Sequence, residues 1–499
     1  MMNHPIVLTV ALLAASGSSS SLAAEAKRPN VLFILTDDQR WDALGLGGSK
    51  HLRTPNIDRI GNEGVYFKNA FCTTSLCSPS RASILSGLYA HAHGVANNFT
   101  EYPANLKSFP MVLQSAGYDT AYVGKWHMGE DNDEPRPGFN WFVTHKGQGK
   151  YFGTEFNING SRRETPKGYY THVVTDMAIE WLNRPRGDKP WLLMIGHKAP
   201  HSFYFPEPKY EHAFDGVRVP YPETAFMLDD KPAWIKQRLY TWHGIYGPLF
   251  EWRKKFPDDS PEAVKDFEAM TRAYWGTIVS VDDSVGRLYE LLKSRGELDN
   301  TIIVFMSDNG FSIEDYHIRG KNHKSGLPEG TNYGANGGGG NAEKWRGNKG
   351  TFFEGGIRVP AIISWPAQLP MGAVRGQAVT ADDWFPTILE LCNVPLPKVK
   401  LDGQSILPLI KSAEAPTHHQ VLHWQWQWFW AVREGDWKLL GRAEKPSHLG
   451  NLGDPEPERK NYMNDRPDIV KRLQAMHDEW LKEVEREFYE SHPHSQRMY

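Results

Sequence analysis

Apolar residues run without a break through Val31-Leu32-Phe33-Ile34-Leu35 and through Ile302-Ile303-Val304-Phe305-Met306. Runs of this length with no polar face predict strands covered on both sides, as in parallel sheets. Ala121-Tyr122-Val123 and Trp191-Leu192-Leu193-Met194-Ile195 read the same way. Each run ends abruptly in polar residues: Thr36-Asp37-Asp38, Ser307-Asp308-Asn309-Gly310, Gly124-Lys125-Trp126-His127, and Gly196-His197-Lys198-Ala199-Pro200-His201. In open α/β sheets ligands bind beyond the carboxyl ends of the strands. Four such ends, all delivering acids, lysines or histidines, predict one shared site.

Helices fill the intervals. Ser260-Pro261 supplies an N-cap and a first-turn proline. Tyr274, Ile278, Val281, Val285, Leu288 and Leu292 follow as a stripe at three-to-four spacing. The segment 319–350 is rich in Gly and Asn and is expected to form a loop at the rim of the site. The texture changes near residue 415. Trp424, Trp426, Trp428 and Trp430 alternate, which predicts one strand with an aromatic face. Glu434-Gly435-Asp436 reads as a hairpin turn. Ile469, Leu473, Met476, Trp480, Val484 and Phe488 mark a closing amphipathic helix. The expected organisation is an α/β unit over 25–414 and a smaller α+β unit over 415–499.

Composition narrows the function classes. The 499 residues carry 56 Lys and Arg against 59 Asp and Glu, a formal charge of −3. That balance argues against a nucleic-acid binder, which needs a basic excess. No apolar run approaches the ~20 residues of a membrane span. Three cysteines (Cys72, Cys77 and Cys392) cannot build a disulfide framework. Residues 6–15 form an apolar core of signal-peptide length, followed by small residues, so 1–24 is expected to be an export signal and the mature protein periplasmic or secreted.

Asp37-Asp38 and Asp308-Asn309 offer three carboxylates and an amide oxygen. Such a hard-oxygen cage suits Ca²⁺, with Mg²⁺ second; turn formation or capping is the other job such residues do after a strand. No Cys/His set at zinc spacing is evident. Cys77-Ser78-Pro79-Ser80-Arg81 precedes a helical stretch, which puts the sulfur near a helix N-terminus, where free N–H groups attract anions.

Cys77-Ser78-Pro79-Ser80-Arg81 with Ser86-Gly87 behind it resembles the signature of type I sulfatases, Cys-x-Pro-Ser-Arg followed by Thr-Gly. Ser86 stands where that pattern has Thr. The resemblance extends from Pro29 to about Leu409. It takes in Arg28-Pro29-Asn30 with Asp37-Asp38, the Gly124–His127 block, Pro200-His201, Asp308-Asn309-Gly310, and Lys349-Gly350-Thr351 leading to Glu354-Gly355-Gly356-Ile357-Arg358-Val359-Pro360. It implies an alkaline phosphatase-like fold, a large mixed and mostly parallel sheet sandwiched by helices.

It also implies that Cys77 is oxidised to formylglycine by a dedicated maturation enzyme. Asp37, Asp38, Asp308 and Asn309 would hold Ca²⁺, which would also contact the group derived from Cys77. Lys125 and Lys349 would clamp sulfate oxygens and Arg81 would orient the aldehyde hydrate. His201 would act as general acid, with His197 as its competitor, and His127 as base. His91 and His93 are expected at the surface or behind the site. Cys77 is expected to face solvent rather than core. The implied substrate is a sulfated carbohydrate, and certain blocks are similar to the branch acting on amino-sugar 6-sulfates. A metal-dependent phosphohydrolase of the same superfamily and a catalytically silent sulfated-glycan-binding protein are the alternatives.

Overall fold

The computed structural model describes residue 1 and residues 27–201, 204–219, 261–311, 345–347, 349–426 and 429–491. The expected export signal and most of the Gly/Asn-rich segment lie outside the described residues. Ten strands form one sheet: β1 Asn30–Thr36, β2 Gly64–Phe71, β3 Asp119–Gly124, β4 Trp141–Thr144, β5 Phe156–Ile158, β6 Arg162–Glu164, β7 Trp191–Gly196, β8 Thr301–Ser307, β9 Ala361–Ser364 and β10 Ala373–Thr380. Their order is β10-β2-β9-β8-β1-β7-β3-β4-β5-β6. The central run β8-β1-β7-β3-β4 is parallel throughout, while β9, β5 and β6 pair antiparallel. The four uninterrupted apolar runs are therefore adjacent strands, and their carboxyl ends share one edge.

Alternation along β1 divides the core in two. Val31, Phe33 and Leu35 face a layer with Phe109, Trp384 and Phe385, while Leu32 and Ile34 face the opposite layer. There the helix Pro261–Ser294 lays down Val281, Val285 and Leu288, and the helix Tyr170–Leu182 lays down Val174. Apolar surface buried on both faces is the dominant stabilising term, at about 25 cal/mol per Å². All six residues of the predicted stripe are buried.

A second sheet, in the order β11-β12-β13-β14, consists of β11 Val421–Trp426, β12 Phe429–Glu434, β13 Trp437–Arg442 and β14 Lys445–Asn451. It corrects the expectation of a single tryptophan-bearing strand. β11 and β12 form an antiparallel hairpin in which Trp426 faces Phe429 and Gln425 faces Trp430. This antiparallel register puts Trp424 and Trp426 on one face and Trp430 on the other, while Trp428 lies outside the described residues. The first two join the core of the large sheet; Trp430 packs with Val432, Ile469 and Leu473 under the closing helix Pro467–Ser491. The Gly435 turn is where the sequence places it, with Glu434 opposite Trp437 and Gly435 at φ 58°.

Candidate active site

β1 and β8 are paired in register, Thr36 against Ser307, so the residues that follow emerge side by side. Asp38, at φ 66°, donates its amide to Asp308 Oδ1 at 3.2 Å. On the other flank of β1, β7 leads to Pro200-His201 and, beside it, β3 leads to Lys125 and His127. Gly124 is required there: at φ 110° a Cβ would stand 2.2 Å from the Gly196 carbonyl oxygen. Cys77 is the first residue of the helix Cys77–Ser86, which ends on Gly87 in the left-handed region.

These elements converge on the Cys77 sulfur. Lys349 Nζ donates to Cys77 Sγ at 2.9 Å and to Asp38 Oδ1 at 2.8 Å. Asp37 Oδ1 lies 3.4 Å from the sulfur, and Lys125 Nζ lies 4.0 Å from it while pairing with Asp37 Oδ2. Arg81 donates from Nε to Asp308 Oδ2 at 2.9 Å and from Nη1 to the Lys125 carbonyl at 2.7 Å. Asn309 Nδ2 donates to Asp38 Oδ1 at 2.6 Å. His201 Nε2 lies 3.6 Å from Asp38 Oδ2. One ligand atom from each of Asp37, Asp38, Cys77 and His201 falls within 4.8 Å of the others.

Every one of these side chains is buried, and the charges shift accordingly. Burial alone would raise Asp37, but Lys125, His201, Arg81 and Lys349 hold it well below the usual carboxylate range. Burial raises Asp38, and it lifts Asp308 to about 7 with Asp37 adding to the effect. Burial pushes the Cys77 thiol up. His127 and His201 are driven down by burial, His127 further by Lys125, while the Asp37 carboxylate pulls each of them back up.

The donors fit a hard divalent cation. Asp38 Oδ2 and Asn309 Oδ1 are buried acceptor oxygens with no hydrogen-bond partner among the described residues, a state that costs free energy unless a ligand satisfies them. With Asp37 and Asp308 they make an all-oxygen set, the chemistry of Ca²⁺ and Mg²⁺ sites.

The structure brings together Asp37, Asp38, Cys77, Arg81, Lys125, His201, Asp308, Asn309 and Lys349. His127 joins them through Gln148, whose amide nitrogen lies 3.1 Å from His127 Nε2 and whose amide oxygen accepts from Lys125. Glu130 accepts on the same imidazole nitrogen at 2.9 Å. Neither Gln148 nor Glu130 was marked by any sequence pattern. His197 stands apart: its Nε2 lies 3.4 Å from Ser284 Oγ on the long helix. Cys72 and Cys392 are buried and unpaired. His91 and His93 are buried, and His93 lies behind the site, its Nε2 3.1 Å from Ser83 Oγ on the Cys77 helix. One expectation is corrected. Cys77 is itself fully buried, enclosed by the lysines and acids around it.

Residues 29–394 match the family described as Sulfatase. The chain belongs to that family. Residues 344–465 match a second family, described as N-sulphoglucosamine sulphohydrolase, C-terminal. The sulfatase is 28% identical to an N-acetylglucosamine-6-O-sulfatase of Bacteroides thetaiotaomicron, over 87% of this chain and 82% of that one. It is 30% identical to the human N-acetylglucosamine-6-sulfatase, over 79% of this chain and 66% of that one. Among solved structures it resembles a protein in complex with its substrate D-glucosamine-2-N,6-O-disulfate, with TM-score 0.72 and 25% identity over 94% of this chain and all of that one. The two-sheet architecture is that of alkaline phosphatase-like sulfatases, and no described helix is long and apolar enough to cross a membrane.

Proposed function

We propose that this sulfatase hydrolyses the 6-O-sulfate of an amino sugar, with Cys77 as formylglycine and Ca²⁺ on Asp37, Asp38, Asp308 and Asn309. The observation that carries the reading is the Cys77 sulfur at a helix N-terminus, 2.9 Å from Lys349 Nζ and 3.4 Å from Asp37 Oδ1. The sugar is taken from the relatives' named substrates. When present, the hydrated formylglycine supplies the nucleophilic hydroxyl and the cation offsets charge on it and on the sulfate.

The remaining work falls to this chain's own side chains. Lys125 and Lys349 neutralise the sulfate oxygens, and Arg81, tied to Asp308 and to the Lys125 carbonyl, fixes the Cys77 helix against the cage. Positioning and charge neutralisation dominate transfers of this kind. His201 lies beside Asp38 and protonates the departing sugar oxygen; His197 is engaged elsewhere, at Ser284 on the long helix. His127, held at Nε2 by Glu130 and Gln148, takes the proton that releases sulfate. Export ahead of residue 25, maturation by a formylglycine-generating enzyme, and the unit boundary near 415 complete the reading.

The test is a panel of defined sulfated saccharides, with sulfate release resolved by ring position and the Cys77 peptide weighed in the same preparation. Release from the 6-O position of glucosamine-type sugars is expected. Release confined to other positions would overturn the substrate. Turnover of phosphate esters alone, or an active protein with an unmodified thiol, would overturn the mechanism.

A further inference from the structure

Lys349 stands in a short connection that leads into the helix Glu354–Ile357. On one side its backbone is tied to the large sheet's unit: the Lys349 amide donates to the Phe311 carbonyl, and the Gly350 amide to Ser75, each at 2.9 Å. On the other side it meets the C-terminal sheet. Trp345 packs with Leu452, and Arg346 Nη1 donates to the Glu458 carbonyl at 3.0 Å. At the end of the connection a closed ring forms. Lys438 of β13 donates to Glu354 Oε1 at 2.9 Å and pairs with Glu458 Oε1 at 3.0 Å. Glu458 Oε2 in turn accepts the Glu354 amide at 2.9 Å.

All three side chains of the ring are fully buried. Burying a lysine and two glutamates is expensive, and apolar residues would dock two units at least as well. What the ring adds is a fixed register: Glu354 can sit in only one place relative to β13. The same sheet also grips the approach to the nucleophile helix, since Trp424 Nε1 donates to the Cys72 carbonyl at 2.9 Å. Both segments that meet at Cys77 are thus anchored on one surface. Residues 344–465, which match a single family, contain both the Lys349 connection and Lys438.

We infer that Lys438 is a positioning residue: through Glu354 and Glu458, the C-terminal sheet sets where the Lys349 ammonium stands relative to Cys77 and Asp38. The inference rests on Lys349 acting as a sulfate clamp. A displacement of about 1 Å at a reacting group can cost on the order of 10²-fold in rate, so a remote anchor has leverage.

Lys438→Met and Lys438→Arg test it, by steady-state kinetics and by amide hydrogen exchange. Lys438→Met should lower kcat/KM at least about tenfold, with most of the loss recovered in Lys438→Arg. The Lys349 and Gly350 amides should exchange faster while β12 to β14 keep their protection. Unchanged kcat/KM in Lys438→Met would overturn the inference. So would exchange that rises through the whole C-terminal sheet with residues 349 and 350 unaffected, which is general destabilisation. If Lys438→Met does not fold, Glu458→Gln is read the same way, and unaltered exchange at 349 and 350 overturns the inference. Exchange needs no turnover, so an inactive wild-type protein would count against the proposed function alone.

Discussion

Two buried charge clusters, one that includes Lys349 and one that includes Glu354, are built on different terms. Around Glu354, charges are answered: Lys438, Arg358 and Arg433 all reach its carboxylate, and despite burial they hold it well below the usual range. Around Cys77 they are answered only in part, Lys125 pairing with Asp37 and Lys349 with Asp38. Asp38 and Asp308 are still raised by burial, and Asp38 Oδ2 and Asn309 Oδ1 have no hydrogen-bond partner among the described residues. Equal burial with unequal satisfaction separates a cluster that holds the fold from one that awaits a ligand.

The largest effect expected is at the sulfur. Cys77→Ala should reduce turnover by at least about 10⁴-fold, as loss of a nucleophile does, with the melting temperature kept. Cys72→Ala, equally buried but with its sulfur turned to the Gly356 carbonyl, should leave kcat nearly unchanged. Retained activity in Cys77→Ala would end the reading of the first cluster as catalytic.

Next comes the division of proton work. His201→Ala should cost roughly 10³-fold on a sugar sulfate, whose leaving alcohol needs a proton. On a nitrophenyl sulfate the loss should be far smaller. His197→Ala should show no such leaving-group dependence. The same losses on both substrates for His201→Ala would remove it from the role.

The comparison sharpens most in paired stability measurements. Glu354→Gln breaks an answered pair and should lower stability by about 3 kcal/mol. Asp38→Asn removes a carboxylate from a crowded acidic site and should not lower the melting temperature in chelator. Added Ca²⁺ should raise the wild-type melting temperature and leave that of Asp38→Asn almost unmoved. A chelator that inactivates the enzyme should be reversed by Ca²⁺ better than by Zn²⁺. Destabilisation of equal size in both variants would erase the distinction.

The smallest effect concerns pH, at the packing of the closing helix Pro467–Ser491. Burial lowers His91 and His423 to about 3 and His477 to about 4. Their rings stack on or stand edge-on to Trp480 and Trp430. The unfolded chain therefore binds more protons than the folded one below the ordinary histidine value. Stability should be full above about pH 6.5 and decline as pH falls toward 4, seen as a steadily lower melting temperature. A flat profile from pH 7 to 5 would show that these imidazoles are not held neutral.

Much of this was legible in the chain. Parallel strands buried on both faces must be apolar throughout, so β1, β7 and β8 announced themselves, and with them the edge where Asp37, Asp308 and His201 meet. The Cys77 motif is contiguous, and so is its helix. What escaped notice depends on groups far apart in sequence. Gln148 and Glu130 reach His127 from loops with no periodic signal, and Lys438 reads as one polar residue in a hairpin until Glu354 and Glu458 close around it. The tryptophan stripe misled for a different reason. Gln427-Trp428 carries no Gly, Pro or Asn to mark a turn, so alternation alone could not tell one strand from two.

The placement of β1 bears on the time the chain needs to become itself. Val31 pairs with Leu192 on one side and Ile302 on the other, so the first strand made waits for two neighbours made much later. At roughly 5–20 residues per second, its first neighbour leaves the ribosome about 10–30 s later and the second later still. For that interval Val31 to Leu35 is a fully apolar edge with nothing to pair with, the feature that makes nascent chains associate wrongly. Loop closure over such separations is slow, and the acids of the cage cannot gather until it is done. The arrangement that gives the mature enzyme a rigid centre makes its synthesis dependent on keeping that first strand solvated and apart.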